Sequence, residues 1–121
     1  MSRQSVLIVD DEPDIRELLD ITLSRMGLET FTAATLGEAQ TMVASEQPNL
    51  CLTDMRLPDG NGTDLIAELA ASQPRVQALL AMSGDTFLEG EAMAAGADGF
   101  LAKPLVSIAD FQEKILSLLP E

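Results

Sequence analysis

Six polar residues follow apolar runs, where a side chain is held by a rigid element yet faces solvent. Asp10, Asp11 and Glu12 follow Val6 to Val9, Asp54 follows Leu50 to Thr53, Ser83 follows Val76 to Met82, and Lys103 follows Gly99 to Ala102. Two carboxylates about 5 Å apart repel by roughly 3 kcal/mol at an effective dielectric of about 20, so a convergent Asp10, Asp11 and Asp54 need a cation or must take up protons. A hard divalent ion answers that need, and Mg2+ commonly keeps several waters while bridging carboxylates to phosphate. No His and a single Cys argue against zinc. Once the cluster is neutralised, the Asp54 carboxylate is a nucleophile for a phosphorus centre and gives an acyl phosphate. Lys103, one of two lysines, supplies a cation for the transferring oxygens. The Lys103–Pro104 bond, in a tight turn, can be cis. Ser83 offers a hydroxyl donor, and Gly84 beside it leaves the approach open.

These residues need a scaffold that brings strand ends to one edge. The β-branched, non-alternating run Val6 to Val9 reads as a strand buried on both faces. Ile15, Leu18, Leu19, Leu23 and Met26 recur at helical spacing up to Gly27, with Pro13 suited to the first turn. Leu28 to Ala33 reads as an edge strand, and Leu36, Ala39, Met42 and Val43 mark a helix ending before Pro48. Leu50 to Thr53 is a third strand, 54–62 a polar loop, and Leu65, Ile66 and Leu69 a third helix. Val76 to Met82 is the fourth strand. Thr86 to Ala95 is a helix expected to be short or mobile, because Gly90 costs about 1 kcal/mol relative to Ala in a helix interior. Gly96 caps it, Gly99 to Ala102 is the fifth strand, and Ile108, Phe111, Ile115 and Leu118 form the buried stripe of the last helix. Five such units predict an α/β flavodoxin-like (βα)5 fold, doubly wound, with parallel strands ordered 2-1-3-4-5. Its switch point lies between strands 1 and 3, beyond whose carboxyl ends ligands bind.

Composition narrows the chemistry further. A length of 121 residues fits one domain, expected over 1–121. A net charge of −13 opposes direct nucleic-acid binding, which draws on Lys and Arg displacing counterions. Cys51 lies in an apolar run, where a buried free thiol is expected, consistent with a reducing compartment. No run approaches the roughly 18 apolar residues of a membrane span, and 1–4 lack a signal-peptide pattern. A cytoplasmic location with no membrane contact is expected. There is neither a glycine-rich dinucleotide fingerprint nor a P-loop.

Over nearly its whole length the chain resembles the response-regulator receiver family. The resemblance rests on Asp10-Asp11, the run Asp54-Met55-Arg56-Leu57-Pro58-Asp59-Gly60-Asn61-Gly62, Ser83, the stretch Ala95-Gly96-Ala97-Asp98-Gly99-Phe100, and Lys103-Pro104. The acceptor run and the opening of the first helix are most similar to the nitrogen-regulator (NtrC) class of enhancer-binding activators, and within it to regulators of type IV pilus expression. The resemblance implies that Asp11 and Asp54 ligate Mg2+, with Asp10 contributing directly or through water and Arg56 through its backbone carbonyl. It further implies that Asp54 takes phosphate from the phosphohistidine of a sensor histidine kinase. Ser83 and Phe100 match the family's switch pair, which alters the surface of the fourth helix, fifth strand and fifth helix, a surface suited to homodimerisation. An effector domain controlling transcription would lie outside this segment. Ser83 stands where Thr is frequent and Phe100 where Tyr is frequent, so the hydroxyl of the first is kept and the phenolic hydrogen bond of the second is not.

Taken singly, each residue has an ordinary reading: Asp11 or Glu12 as a helix N-cap, Asp54 as a turn residue, Ser83 as a strand terminus, Lys103-Pro104 as surface. For Phe100, core packing and switching are both open. Two other functions compete with a phosphoryl switch that acts only on itself. One is a stand-alone or phosphate-independent interaction module, disfavoured by the complete acidic pocket. The other is a Mg2+-dependent phosphohydrolase with an aspartyl nucleophile, which often carries an acid two residues onward, where this chain has Arg56.

Overall fold

The computed structural model describes residues 4–72, 76–105 and 107–119, so the expectation for the opening residues 1–3 lies outside the described residues. Numbering only the strands of the main sheet, the order is β1 (Ser5–Val9), α1 (Pro13–Arg25), β2 (Glu29–Ala33), α2 (Leu36–Glu46), β3 (Leu50–Asp54), α3 (Gly62–Ala71), β4 (Ala78–Ser83), α4 (Glu89–Ala95), β5 (Gly99–Ala102) and α5 (Ile108–Leu118). All five strands are parallel and lie in the order β2-β1-β3-β4-β5, as expected for a doubly wound sheet.

Period-two alternation along the central strands divides the interior into two half-cores. Leu7, Val9 and Cys51 face Ala39 of α2, Leu65, Ile66 and Leu69 of α3, and Ala92 of α4. Val6, Ile8, Leu50 and Leu52 face Leu19 and Leu23 of α1 and Phe111 and Ile115 of α5. β1, β3 and β4 are buried along their whole lengths, which explains their unbroken apolar sequences.

Several boundaries differ from the sequence expectation. Leu18 and Ile108 are 42% and 41% exposed, because the buried line of α1 runs through Leu19, Thr22 and Leu23 and that of α5 through Phe111 and Ile115. β4 begins at Ala78 and ends on Ser83, and β3 ends on Asp54, so both residues belong to strands and not to the loops beyond them. The loop after Asp54 contains a two-stranded ribbon pairing Arg56–Leu57 with Gly60–Asn61. The helix expected over Thr86 to Ala95 divides into a 3-10 turn, Thr86–Leu88, and a seven-residue α4. The turn begins at Asp85, whose carboxylate accepts the Phe87 N–H at 3.0 Å. At its other end α4 closes on Gly96 in the left-handed conformation, as expected.

Candidate functional site

The parallel sheet sends β1, β3, β4 and β5 out at one edge, and the residues at their ends converge. Asp10 is the most constrained. With no solvent exposure, it donates its N–H to the Ala33 carbonyl at 3.1 Å, and its own carbonyl accepts from Nη1 of Arg16 at 2.7 Å. Its Oδ1 accepts the Glu12 N–H at 2.9 Å and its Oδ2 lies 2.6 Å from Nζ of Lys103. Both carboxylate oxygens are thus engaged by the chain's own donors, whereas the neighbouring Asp11 is exposed at the cleft.

Asp54 is placed from behind as well as from the side. It pairs in register with Met82 of β4, and the Met55 N–H donates to the Met82 carbonyl at 3.0 Å, continuing the ladder one residue past the strand. A Cβ on Gly62 would fall 2.1 Å from the Asp54 carbonyl oxygen, so the first turn of α3 can lie this close only with glycine there. The Asp54 side chain offers Oδ2 to Lys103 Nζ at 3.2 Å and Oδ1 to the Arg56 N–H at 3.4 Å.

Lys103 therefore spans Asp10 and Asp54, with Glu12 at 3.7 Å as a third carboxylate. Burial pushes the Asp54 carboxyl up from its ordinary value; the Lys103 charge opposes this, the Asp10 charge adds to it, and the net direction is upward. Burial alone would lower the Lys103 ammonium, but the hydrogen bond and charge of Asp10, together with Asp54, outweigh it and raise the value.

One carboxylate oxygen from each of Asp10, Asp11, Glu12 and Asp54 lies within 4.8 Å of the others. Four acids face one ammonium, and all four offer the hard oxygen ligands that suit Mg2+. These residues fit such an ion. The cleft in front of them has a volume of about 600 Å³ and is also lined by Arg56, Ser83, Gly84, Asp85 and Pro104.

Ser83 is buried, and its Oγ accepts the Asp85 N–H at 3.0 Å. The Lys103 N–H donates to the Ser83 carbonyl at 2.8 Å, and the Lys103–Pro104 peptide is cis. The Arg56 side chain points outward, with Nη2 3.9 Å from Oδ2 of Asp85. Phe100 does not line the cleft; half-buried on β5, it packs against the half-core beneath α2, α3 and α4.

Arg16 and Asp85 have no counterpart among the residues the sequence singles out. Arg16 carries only an ordinary helical spacing, and its target is a backbone carbonyl, which leaves no trace in sequence. Asp85 could have been found as the acid two residues beyond Ser83 ahead of a helical turn. Glu12 was visible as the third acid of its run and serves as the N-cap residue of α1, though without a side-chain cap hydrogen bond.

The response regulator receiver domain family matches residues 6–116 of the chain. The chain is 48% identical over 120 residues to the response regulator protein PilR of Pseudomonas aeruginosa, covering 98% of this chain and 27% of that protein. It is 29% identical over 121 residues to sporulation initiation phosphotransferase F of Bacillus subtilis, covering 99% of this chain and 97% of that one. Among solved structures, it is similar to a response regulator protein from Burkholderia pseudomallei containing a phosphorylated aspartic acid, a calcium ion and citrate. That likeness has a TM-score of 0.81 at 28% identity and covers 97% of this chain and 66% of the other. The chain thus spans about a quarter of the PilR length, and about half the length of several other transcriptional regulators it matches.

Proposed function

The chain belongs to the response regulator receiver domain family, and on that premise we propose that Asp54 accepts phosphate from the phosphohistidine of a sensor histidine kinase in a Mg2+-dependent switch. The observation that carries this assignment is the convergence of Asp10, Asp11, Glu12 and Asp54 around Lys103 at the strand ends. The phosphorylated aspartate and cation recorded for the Burkholderia relative support it.

In the transfer, an oxygen of Asp54 forms a bond to phosphorus while the nitrogen–phosphorus bond of the donor breaks, and the electron pair leaves with the imidazole. Asp11 and Asp54, with Asp10 and the backbone carbonyl of Arg56, would hold Mg2+, which when bound offsets the carboxylate charge and the charge on the phosphoryl oxygens. Asp10 keeps the Lys103 ammonium in the cleft as Asp54 takes up the phosphoryl group, so the cation is present for the new oxygens without a large movement. Because Ser83 Oγ already accepts the Asp85 N–H, its own proton remains available to donate to the phosphoryl group.

The domain occupies 1–121 and turns over no external metabolite; it catalyses only its own phosphorylation and dephosphorylation. Ser83 and Phe100 relay phosphorylation to the face of α4, β5 and α5, which serves as a homodimer surface. The whole protein controls transcription through an effector domain and works in the cytoplasm. The segment's net charge of −13 keeps it off nucleic acid, and no helix among the described residues is long and apolar enough to cross a membrane.

Incubation with acetyl phosphate and Mg2+, followed by intact-mass measurement, tests the assignment. One phosphoryl group on the wild type and none on Asp54→Asn is the expected result. Unmodified wild type, or equal labelling of the variant, overturns it.

A further inference from the structure

The ribbon that leaves Asp54 turns at Pro58 and Asp59, and the tip of that turn is fastened to a different element. Asp59 Oδ1 accepts the Leu36 N–H at 2.8 Å and Oδ2 accepts the Gly37 N–H at 3.1 Å. The first four N–H groups of a helix have no partner within it. In α2 the Glu38 N–H is met locally by the Thr35 hydroxyl at 3.1 Å, and the Ala39 N–H begins the helical ladder at the Thr35 carbonyl at 3.0 Å. The Leu36 and Gly37 N–H groups between them are met by Asp59, from a loop 23 and 22 residues away.

The contact is close on its other side too. A Cβ on Gly60 would lie 2.5 Å from Cδ1 of Leu36, so the Leu36 side chain rests directly against the ribbon. The two N–H groups hold the Asp59 carboxyl below its ordinary value, as expected for an anion accepting paired donors. Between Asp59 and Asp54 lie Met55, which is buried, and Arg56, whose N–H meets Asp54 Oδ1.

We propose that Asp59 is a positioning residue for phosphoryl acceptance: its two-pronged hold on the N-terminus of α2 fixes the Met55 to Asn61 ribbon and, through it, the cation- and phosphoryl-facing side of Asp54 and Arg56. The inference rests on the receiver assignment above and adds to it a residue that touches neither phosphate nor metal. Without the clamp, the base of the ribbon stays held by the Met55 bond to the Met82 carbonyl, by the packing of Met55 and Leu57 and by the α3 contact, but its tip is no longer fastened, and the ligands it carries lose part of their fixed separation. Small displacements of such groups are costly to transfer rates.

The test compares wild type, Asp59→Ala and Asp59→Asn at a temperature where all three are folded, using Mg2+ titrations followed by NMR, amide hydrogen exchange, and acetyl phosphate labelling. Asp59→Ala is expected to weaken Mg2+ binding and slow labelling, each by about 5- to 10-fold, with faster exchange at 55–61 as well as at Leu36 and Gly37. Asp59→Asn keeps one acceptor oxygen and should fall between the two. Mg2+ affinity and labelling equal to wild type in folded Asp59→Ala, with faster exchange confined to α2, would make Asp59 a helix cap only and overturn the proposal. If the wild type takes no phosphate at all, the proposed phosphoryl acceptance by Asp54 fails, while the Mg2+ titration and the exchange pattern still decide whether Asp59 positions the ribbon.

Discussion

Lys103 places its ammonium 2.6 Å from Oδ2 of Asp10, a carboxylate with no solvent exposure, and 3.2 Å from Oδ2 of Asp54. Asp10 is the tighter partner and the more deeply buried one. The cation is thus anchored by the residue least able to tolerate its loss.

Lys103→Ala should lower stability by about 2–3 kcal/mol in metal-free buffer, because it strands a buried carboxylate while Asp54 and Glu12 stay partly solvated. Because Mg2+ affinity itself should be close to wild type, saturating Mg2+ should stabilise both proteins about equally and leave the difference between them in place. Urea denaturation with and without Mg2+ measures both. No loss in metal-free buffer would show that Lys103 does not balance this cluster, and a loss that vanishes in Mg2+ would show that the variant binds the ion more tightly than wild type.

The same ion pair sets an alkaline limit. The Lys103 value is raised above its ordinary 10.5, so the folded state holds a proton that the unfolded chain has begun to release. Its contribution is fully present below pH 10.5 and fades as pH rises through the folded value. Stability measured against pH should decline more gently over this alkaline range in Lys103→Met than in wild type.

Cys51 contributes to the same alkaline decline by a different route. Burial pushes its thiol from 9.0 to about 12, so between these values the unfolded chain ionises first and stability falls by up to roughly 1.4 kcal/mol per pH unit. At neutral pH the thiol should resist a disulfide reagent in the native protein and react at once in denaturant. Rapid native labelling would contradict the burial of β3.

Gly62→Ala should be among the more damaging single-methyl changes in the chain. The new Cβ meets backbone at 2.1 Å, not a side chain that can swing away, so either α3 or the Asp54 carbonyl must move. Overpacking of this kind costs about 1–3 kcal/mol. Phosphoryl labelling by acetyl phosphate should slow as well, since the displaced atom belongs to Asp54, the proposed acceptor. A Tm and labelling rate matching wild type would show that α3 yields without disturbing Asp54.

Phosphorylation should change amide exchange across 84–105, the stretch joining Ser83 to Lys103 through α4 and Phe100. Phe100→Ala should take up phosphate at the wild-type rate yet show a smaller change in α4, because Phe100 packs on the half-core and stays out of the cleft. Identical exchange before and after phosphorylation would argue against any relay through this face.

How much of this was legible in the sequence follows from the range of each interaction. The strand ends were legible because unbroken β-branched or aliphatic runs alternate with helical spacing, and a parallel sheet places all such ends on one edge. Asp10, Asp54, Ser83 and Lys103 needed only that rule. Asp59 and Leu36 are 23 residues apart and meet side chain to backbone, so no spacing marks the pair. Arg16 binds a carbonyl, and any residue can supply a carbonyl. Leu18 and Ile108 were misplaced because a period of 3.6 leaves the rim of an apolar stripe undetermined until the neighbouring elements are fixed. The 56–61 ribbon is too short for alternation to register.

The hydrogen bond from the Lys103 N–H to the Ser83 carbonyl, at 2.8 Å, ties together the two residues proposed as donors to the phosphoryl group. The ammonium and the hydroxyl belong to one mechanical linkage, with a backbone pivot between the ends of β4 and β5. A pull on either side chain would reach the other through one peptide group, so an occupant of the cleft should register as a joint displacement of two strands, not as two separate events.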